Sequence, residues 1–248
     1  MNCEAVVQHL VTWLREKVHE AGAAGVVLGV SGGVDSAVAA VLAQKAFPDN
    51  CIALLLPCGS RIEDLVHSQL LLEKFRIPYR VVELDNAYQL LVTQFESFLK
   101  LDGWKGRLLR SNLKPRLRMT TLYYSAQARG YLVLGTSNQS EIRVGYSTKY
   151  GDTGVDLQIL GDLVKREVIE LARYLDIPAF IINKPPSGGL WEGQTDEEEM
   201  GVTYQELDDY IQYQKGEPQI IARIEELIKN SGHKRQMPPV ALIPRELR

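Results

Sequence analysis

Residues 25–36 read GVVLGVSGGVDS, and the fold follows from them. Val26, Val27, Leu28 and Val30 make an apolar run without alternation, as expected of a strand covered on both faces. The run stops at Ser31-Gly32-Gly33, and Val34-Asp35-Ser36 then opens a small-residue helix, AVAAVLAQKAF. Strand, glycine turn and helix N-terminus together form an anion cradle. Glycines let the backbone approach a phosphate, and the N–H groups of the first helical turn point at it. The stretch contains neither a Walker lysine nor a G-x-G-x-x-G dinucleotide fingerprint. A carboxylate, Asp35, stands in the cradle instead, which calls for a cation between it and a phosphate.

Outward from this stretch, strand-like and helical runs alternate. Residues 4–21 have helical spacing, with Val6, Val7, Leu10, Leu14 and Val18 on one face. Further strands are expected at 51–57 (CIALLLP), 79–84 (YRVVEL) and 131–136 (YLVLGT), with a weaker fifth at 178–182 (PAFII). Apolar strands separated by helices predict an α/β fold: an open, mainly parallel five-stranded sheet, Rossmann-like, with helices on both faces. Ligands of such sheets bind beyond the carboxyl ends of the strands, where the strand order reverses. The loops after the first and fourth strands, SGGVDS and GTSNQSE, should therefore be neighbours in space.

Composition narrows the function classes. The chain has 248 residues, 45% of them hydrophobic, and a formal net charge of −3, which argues against a nucleic-acid or membrane partner. Three cysteines, Cys3, Cys51 and Cys58, are too few for a disulfide framework and lack metal-ligand spacing. The N-terminus is unlike a signal peptide, and no stretch is apolar enough to span a bilayer. A cytoplasmic, soluble protein with one domain over residues 1–248 is the expectation.

Four later segments carry chemistry or its lookalike. In GTSNQSEIRVGYSTKYGD (135–152), Glu141 pairs with Asp35 as a magnesium site, since this ion takes a couple of carboxylates plus phosphate oxygens. Thr136 and Ser137 can offer hydroxyls to a nucleotide, and Lys149 and Asp152 flank the Tyr150-Gly151 turn that would aim both inward. Lys165, near the start of a helix, is compatible with a phosphate contact or with a solvated surface charge. The segment 99–118 bears Lys105, Arg107, Arg110, Lys114, Arg116 and Arg118 against one acid, Asp102. Only Trp104 interleaves with those charges, which disfavours nucleic acid and favours a discrete anionic ligand. Residues 184–201 form a Pro- and Gly-rich loop, a candidate mobile cover, that runs into an acidic stretch. There Thr195 and Glu198 have capping-box spacing, so these acids read as a helix start. The basic, proline-broken end, HKRQMPPVALIPRELR, reads as a tail packed on the body or on a partner.

S-G-G-x-D-S resembles the PP-loop of the ATP pyrophosphatases, which cleave ATP between the α- and β-phosphates. Nearly the whole chain is similar to the ammonia-dependent NAD synthetases. The matching motifs are SGGVDSA, N-x-K-x-R-x-R-M (Asn112 to Met119), GTSNQSE, GYSTKYGD, Asp156 with Lys165, KPPS–LW-x-GQTDE, and HKR near the end. The resemblance implies an adenine nucleotide alpha-hydrolase-like fold, usually a homodimer with the deamido-NAD site at the subunit interface. It implies that deamido-NAD (nicotinic acid adenine dinucleotide) is amidated to NAD, in the last step of NAD biosynthesis. The nicotinate carboxylate attacks the α-phosphate of ATP, pyrophosphate leaves, and ammonia displaces AMP. It places ATP on Gly29, Val30, Ser31, Gly32, Gly33, Val34, Asp35, Ser36, Thr136, Lys165 and Ser187, and Mg2+ on Asp35 and Glu141. Deamido-NAD falls to Arg116, Lys149, Asp156, His233 and Lys234. Asp152 and Lys165 are the catalytic candidates: Asp152 orients or deprotonates the incoming ammonium, and Lys165 helps the leaving pyrophosphate.

Three residues depart from the family pattern: Pro115 in place of alanine, Ile159 in place of proline, and Ser187 in place of threonine. They bear on local loop geometry. A glutaminase domain has no room in this length, so free ammonia is the expected nitrogen source, and a separate glutaminase subunit is possible but not implied. Two other classes compete. A tRNA-modifying PP-loop enzyme would bind RNA through residues 105–118, and a nucleotide sensor would bind ATP without turnover.

Overall fold

The computed structural model describes residues 1–99, 102–191 and 193–248. Parts of the basic segment 99–118 and of the loop 184–201 thus lie outside the described residues. The chain runs α1 (Cys3–Glu20), β1 (Gly25–Gly29), α2 (Val34–Ala46), β2 (Cys51–Leu55), α3 (Ile62–Lys74), β3 (Tyr79–Val81), α4 (Asp85–Glu96), α5 (Gly103–Gln127) and β4 (Tyr131–Gly135). It continues with α6 (Gln139–Val144), β5 (Leu157–Gln158), α7 (Lys165–Tyr174), α8 (Ala179–Ile182), α9 (Asp196–Met200), α10 (Tyr204–Tyr213) and α11 (Pro218–Asn230).

The five strands lie in the order β3-β2-β1-β4-β5, and every pairing is parallel. The unbroken apolar run of β1 has the expected cause. Val26 and Leu28 enter a core with α1, α2 and α7, whereas Val27 packs on the opposite face with Leu54, Val133 and Ala126 of α5. The order reverses at β1, which pairs with β2 on one side and β4 on the other. The loops after β1 and β4 therefore meet, as predicted. A third apolar cluster joins α6 to α9, α10 and α11 through Val144, Met200, Leu207 and Ile224.

Two expectations are corrected. The fifth strand is Leu157–Gln158, paired to β4 through Leu134↔Leu157 and Gly135↔Gln158, and is not at 178–182. Residues 179–182 are the helical turn α8, where the Pro178 carbonyl accepts the N–H groups of Ile181 and Ile182. Five apolar residues cannot separate one helical turn from a strand. Pro115 lies inside α5 rather than in a loop, buried, where a Cβ on Gly151 would come within 2.9 Å of its ring. Ile159 does stand in a turn, the one after β5, and its side chain enters the core, 3% exposed.

Past the 3-10 turn Gly232–Lys234, the tail is exposed, including Met237, Val240 and Leu242, and carries a second 3-10 turn at Arg245–Leu247. It packs little on the body.

Candidate active site

The turn after β1 is built from its own serines. Ser31 N–H donates to Ser36 Oγ at 3.1 Å, and Ser36 Oγ–H donates to the Gly33 carbonyl at 3.0 Å. Gly32 takes φ +78, and a Cβ there would lie 2.6 Å from the Asp64 carbonyl oxygen, so this position accepts only glycine comfortably. No side chain caps α2 at Gly33, and Val34, Asp35 and Ser36 line the cleft.

Asp35 is the meeting point. Its Oδ1 accepts Asn138 Nδ2 at 2.9 Å, and its Oδ2 is 2.5 Å from Lys165 Nζ. Lys165, the first residue of α7, is 4% exposed. It is not a solvated surface charge, and its Nζ also lies 3.9 Å from Glu141 Oε1. Burial alone would lower the lysine's pKa, and Asp35 followed by Glu141 outweigh it and hold the ammonium above its ordinary value. Asn138 caps α6 through the Glu141 N–H (3.0 Å), while Glu141 returns its carboxylate to the Asn138 N–H (3.3 Å). Glu141 is pushed up to about 8, first by burial and then by Asp35, with Lys165 opposing. Two carboxylates crowded this way fit a hard divalent cation, whose charge would relieve both the burial and the repulsion.

The cleft around these groups has a volume of about 920 Å³. It reaches Gly29, Val30, Ser31, Gly33, Thr136, Arg116, Lys149, Asp152, Ser187, His233 and Lys234, but Gly32 and Asp156 are not among its lining residues. Asp156 spends its oxygens on Tyr123 OH (3.0 Å) and Val133 N–H (2.8 Å), tying the β5 approach to β4 and α5. Arg116 Nε donates to the Lys149 carbonyl at 3.3 Å, and Lys149 Nζ donates to the His233 carbonyl at 2.8 Å. Lys234 Nζ donates to the Gly145 and Ser147 carbonyls at 2.8 and 2.6 Å, and burial lowers its pKa. Asp152 Oδ1 accepts the Thr148 N–H at 2.8 Å, and burial raises its carboxyl above the ordinary range.

A family model described as NAD synthase matches residues 6–238. The chain is 68% identical over 248 residues to an NH(3)-dependent NAD(+) synthetase of Syntrophomonas wolfei, covering 100% of both sequences.

The chain belongs to the NAD synthase family.

Among solved structures, an NMN synthetase from Francisella tularensis superposes with a TM-score of 0.91 at 39% identity, covering 99% of each chain. An NH3-dependent NAD synthetase from Campylobacter jejuni, in complex with the nitrate ion, gives 0.80 at 28% identity, covering 98% of this chain and 100% of that one. As a family member the chain is an enzyme and a ligase, serving NAD biosynthesis by ATP-dependent amidation. Among the described residues, no helix is long and apolar enough to cross a membrane.

The NAD synthase site contains residues that sequence reasoning missed or misread. Asp196, read as part of a helix start, is 5% exposed and accepts hydrogen bonds from Tyr146 OH and Tyr204 OH, each at 3.0 Å. The capping box expected at Thr195 does not form: Thr195 caps no N–H of α9, and its Oγ1 is buried without a partner among the described residues. The five-residue α9 instead turns Asp196 inward, and Tyr204 OH also lies 3.3 Å from Glu141 Oε1. Asn138 did carry a signal, the spacing Asn138…Glu141.

The basic segment is a helix with divided duties rather than a patch. Lys105 and Arg107 are exposed, and Arg110 pairs with Glu96. Lys114 Nζ holds the Leu190 carbonyl of the cover loop at 2.8 Å. Arg118 lines the cleft, held by the Leu56 carbonyl (3.1 Å) and Ser60 Oγ (3.2 Å). The cover is further tied down by the Lys184–Asp64 ion pair.

Proposed function

We propose that this NAD synthase converts deamido-NAD, ATP and ammonia into NAD, AMP and pyrophosphate through an adenylated nicotinate carboxylate. The observation that carries the reading is the convergence of Asp35, Glu141 and Lys165 beneath the SGGVDS turn. Asp35 and Glu141 would hold Mg2+, which when bound offsets the negative charge of the triphosphate. The turn from Gly29 to Ser36, with Thr136 and Ser187, holds ATP, and Lys165 exchanges its bond to Asp35 for phosphate oxygen. Arg116, Lys149, His233 and Lys234 hold the dinucleotide, and Asp156 supports them from outside the cleft.

A nicotinate carboxylate oxygen forms a bond to the α-phosphorus as the bridge to the β-phosphate breaks and pyrophosphate leaves. Lys165 and the turn's N–H groups stabilise the charge that gathers on the phosphates. Ammonia nitrogen then bonds to the carbonyl carbon, and the carbon–oxygen bond to AMP breaks. Ammonia reaches the site largely as ammonium. A buried carboxylate with a raised pKa, such as Asp152, both attracts that cation and takes its proton.

The working unit is a cytoplasmic homodimer with the dinucleotide site at the interface. Exposed apolar side chains along α4 and α5, among them Leu90, Trp104 and Leu109, support that reading. Incubation with deamido-NAD, ATP, MgCl2 and ammonium chloride should yield equimolar NAD, AMP and pyrophosphate. Formation of ADP, or turnover without deamido-NAD, would overturn it.

The likeness to the Francisella NMN synthetase favours a second reading, in which nicotinate mononucleotide is the carboxylate substrate. Competition between the two carboxylates in one assay decides: the first reading expects NAD in excess of NMN, the second the reverse. Deamido-NAD is preferred here because the 68% identical relative is an NAD(+) synthetase.

A further inference from the structure

Helix α7 begins at Lys165, and Val164, the residue before it, has no side-chain oxygen to offer its first N–H groups. The cap comes from elsewhere in the fold. The Lys165 N–H donates to Ser140 Oγ at 3.1 Å, and Ser140 Oγ–H donates to Asp208 Oδ1 at 2.6 Å. The next N–H, of Arg166, donates to Asp208 Oδ2 at 2.8 Å. Asp208 is 1% exposed and Ser140 0%, so this is an interior junction of α6, α7 and α10.

A buried carboxylate persists only if donors repay its lost hydration. Here the donors are the positive end of α7 and the hydroxyl next to Glu141. The Arg166 side chain does not explain the arrangement. Its Nε is 3.3 Å from Asp208, and its Nη2 has Asp209 at 2.6 Å and the Gln205 carbonyl at 3.1 Å.

We propose that Asp208 is a positioning residue of the active site. From α10 it fixes the start of α7, and with it Lys165. Through Ser140 it fixes the first turn of α6, and with it Glu141. Tyr204, one helical turn earlier on α10 and thus on the same face, touches the Glu141 carboxylate directly. One helix outside the sheet thereby sets the separation of the ammonium and the carboxylate across from Asp35. The inference rests on the proposed roles of Lys165 and Glu141.

The test uses the full chain with Ser140→Ala and Asp208→Asn, alone and combined with Lys165→Ala. A site displaced by a fraction of an ångström to an ångström loses up to about 100-fold in rate. Each single variant should lower kcat by about 10- to 100-fold while the KM for ATP stays within about twofold. In the Lys165→Ala background each should lower kcat by clearly less than in the wild type, because the arm through Lys165 is gone and only the arm through Glu141 remains. Ser140→Ala keeps Asp208 bound to Arg166, so it carries the test if Asp208→Asn does not fold. Unchanged kcat in Ser140→Ala, or full multiplication of the losses in the Lys165→Ala background, overturns the positioning role. Wild-type kcat in Lys165→Ala alone would instead overturn the site reading on which it rests.

Discussion

Lys165→Ala is the sharpest perturbation of this structure. It deletes an ammonium that is 5% exposed, 2.5 Å from Asp35 Oδ2 and 3.9 Å from Glu141 Oε1. Removing one partner of a buried pair costs about 3–5 kcal/mol, because the remaining charge has neither water nor counter-ion. The cost should depend on pH, and its sign can be worked out. Glu141 has a folded value of about 8, above its ordinary 4.5, so its contribution to stability is present below 4.5 and is lost as pH rises through about 8. Lys165 pulls that value down, so the variant raises it further and extends the loss to higher pH. At pH 6 Glu141 is neutral with or without Lys165, whereas between pH 8 and pH 9 it ionises against the ammonium in the wild type and has no such counter-ion in the variant. The deficit should therefore be larger at pH 9, by up to about 1.4 kcal/mol, the worth of the one pH unit above the folded value of about 8. Urea unfolding followed by circular dichroism, without divalent cation, measures both values. A deficit under about 1 kcal/mol, well short of a broken buried pair, would refute the reasoning. So would an equal or larger deficit at pH 6.

Asp152→Asn keeps an oxygen for the Thr148 N–H but loses the proton acceptor, so kcat/KM for ammonium should fall by about 100-fold or more. The KM for ATP should hold, and initial-rate kinetics in which ATP suffers and ammonium does not would reject the role. Tyr204→Phe removes a hydroxyl 3.3 Å from Glu141 and should weaken Mg2+ binding in the presence of ATP by about 10-fold, read by isothermal titration calorimetry. Gly32→Ala must adopt φ +78 against the Asp64 carbonyl, which costs about 1–3 kcal/mol. It should lower both the melting temperature and ATP affinity, and an unchanged pair of values would show that the turn is not under this constraint.

The sheet and its cradle were legible in the sequence because their causes are local. An aliphatic run, a glycine turn and a small-residue helix each follow from neighbours in the chain, and parallel topology then brings the loops after β1 and β4 together. Asp35 and Glu141 could be paired on that ground. The fifth strand could not be found, because two residues, Leu157 and Gln158, make no pattern of their own and exist as a strand only through β4. Lys165 stayed undecided for a related reason: a lysine at a helix start is buried or solvated according to what packs over it, and here that is Tyr204, whose ring lies 4.9 Å from the ammonium.

Asp196, Tyr204 and Asp208 were silent because each sits where an ordinary amphipathic helix would also place it. Their meaning comes from the third apolar cluster, which docks α9, α10 and α11 onto α6 and includes Val144, Met200 and Leu207. That docking gives up the Thr195 cap and buries Asp196 at 5% and Asp208 at 1% exposure. Helix caps are worth about 1 kcal/mol, and an uncompensated buried carboxylate costs several times that. Local preference loses at Thr195 only because Tyr146 and Tyr204 are already in place to receive Asp196. Asp196 and Asp208 are therefore best explained by the groups they hold in place, and under the proposed site α10 sets Lys165 and Glu141 from one side as the turn after β1 sets Asp35 from the other.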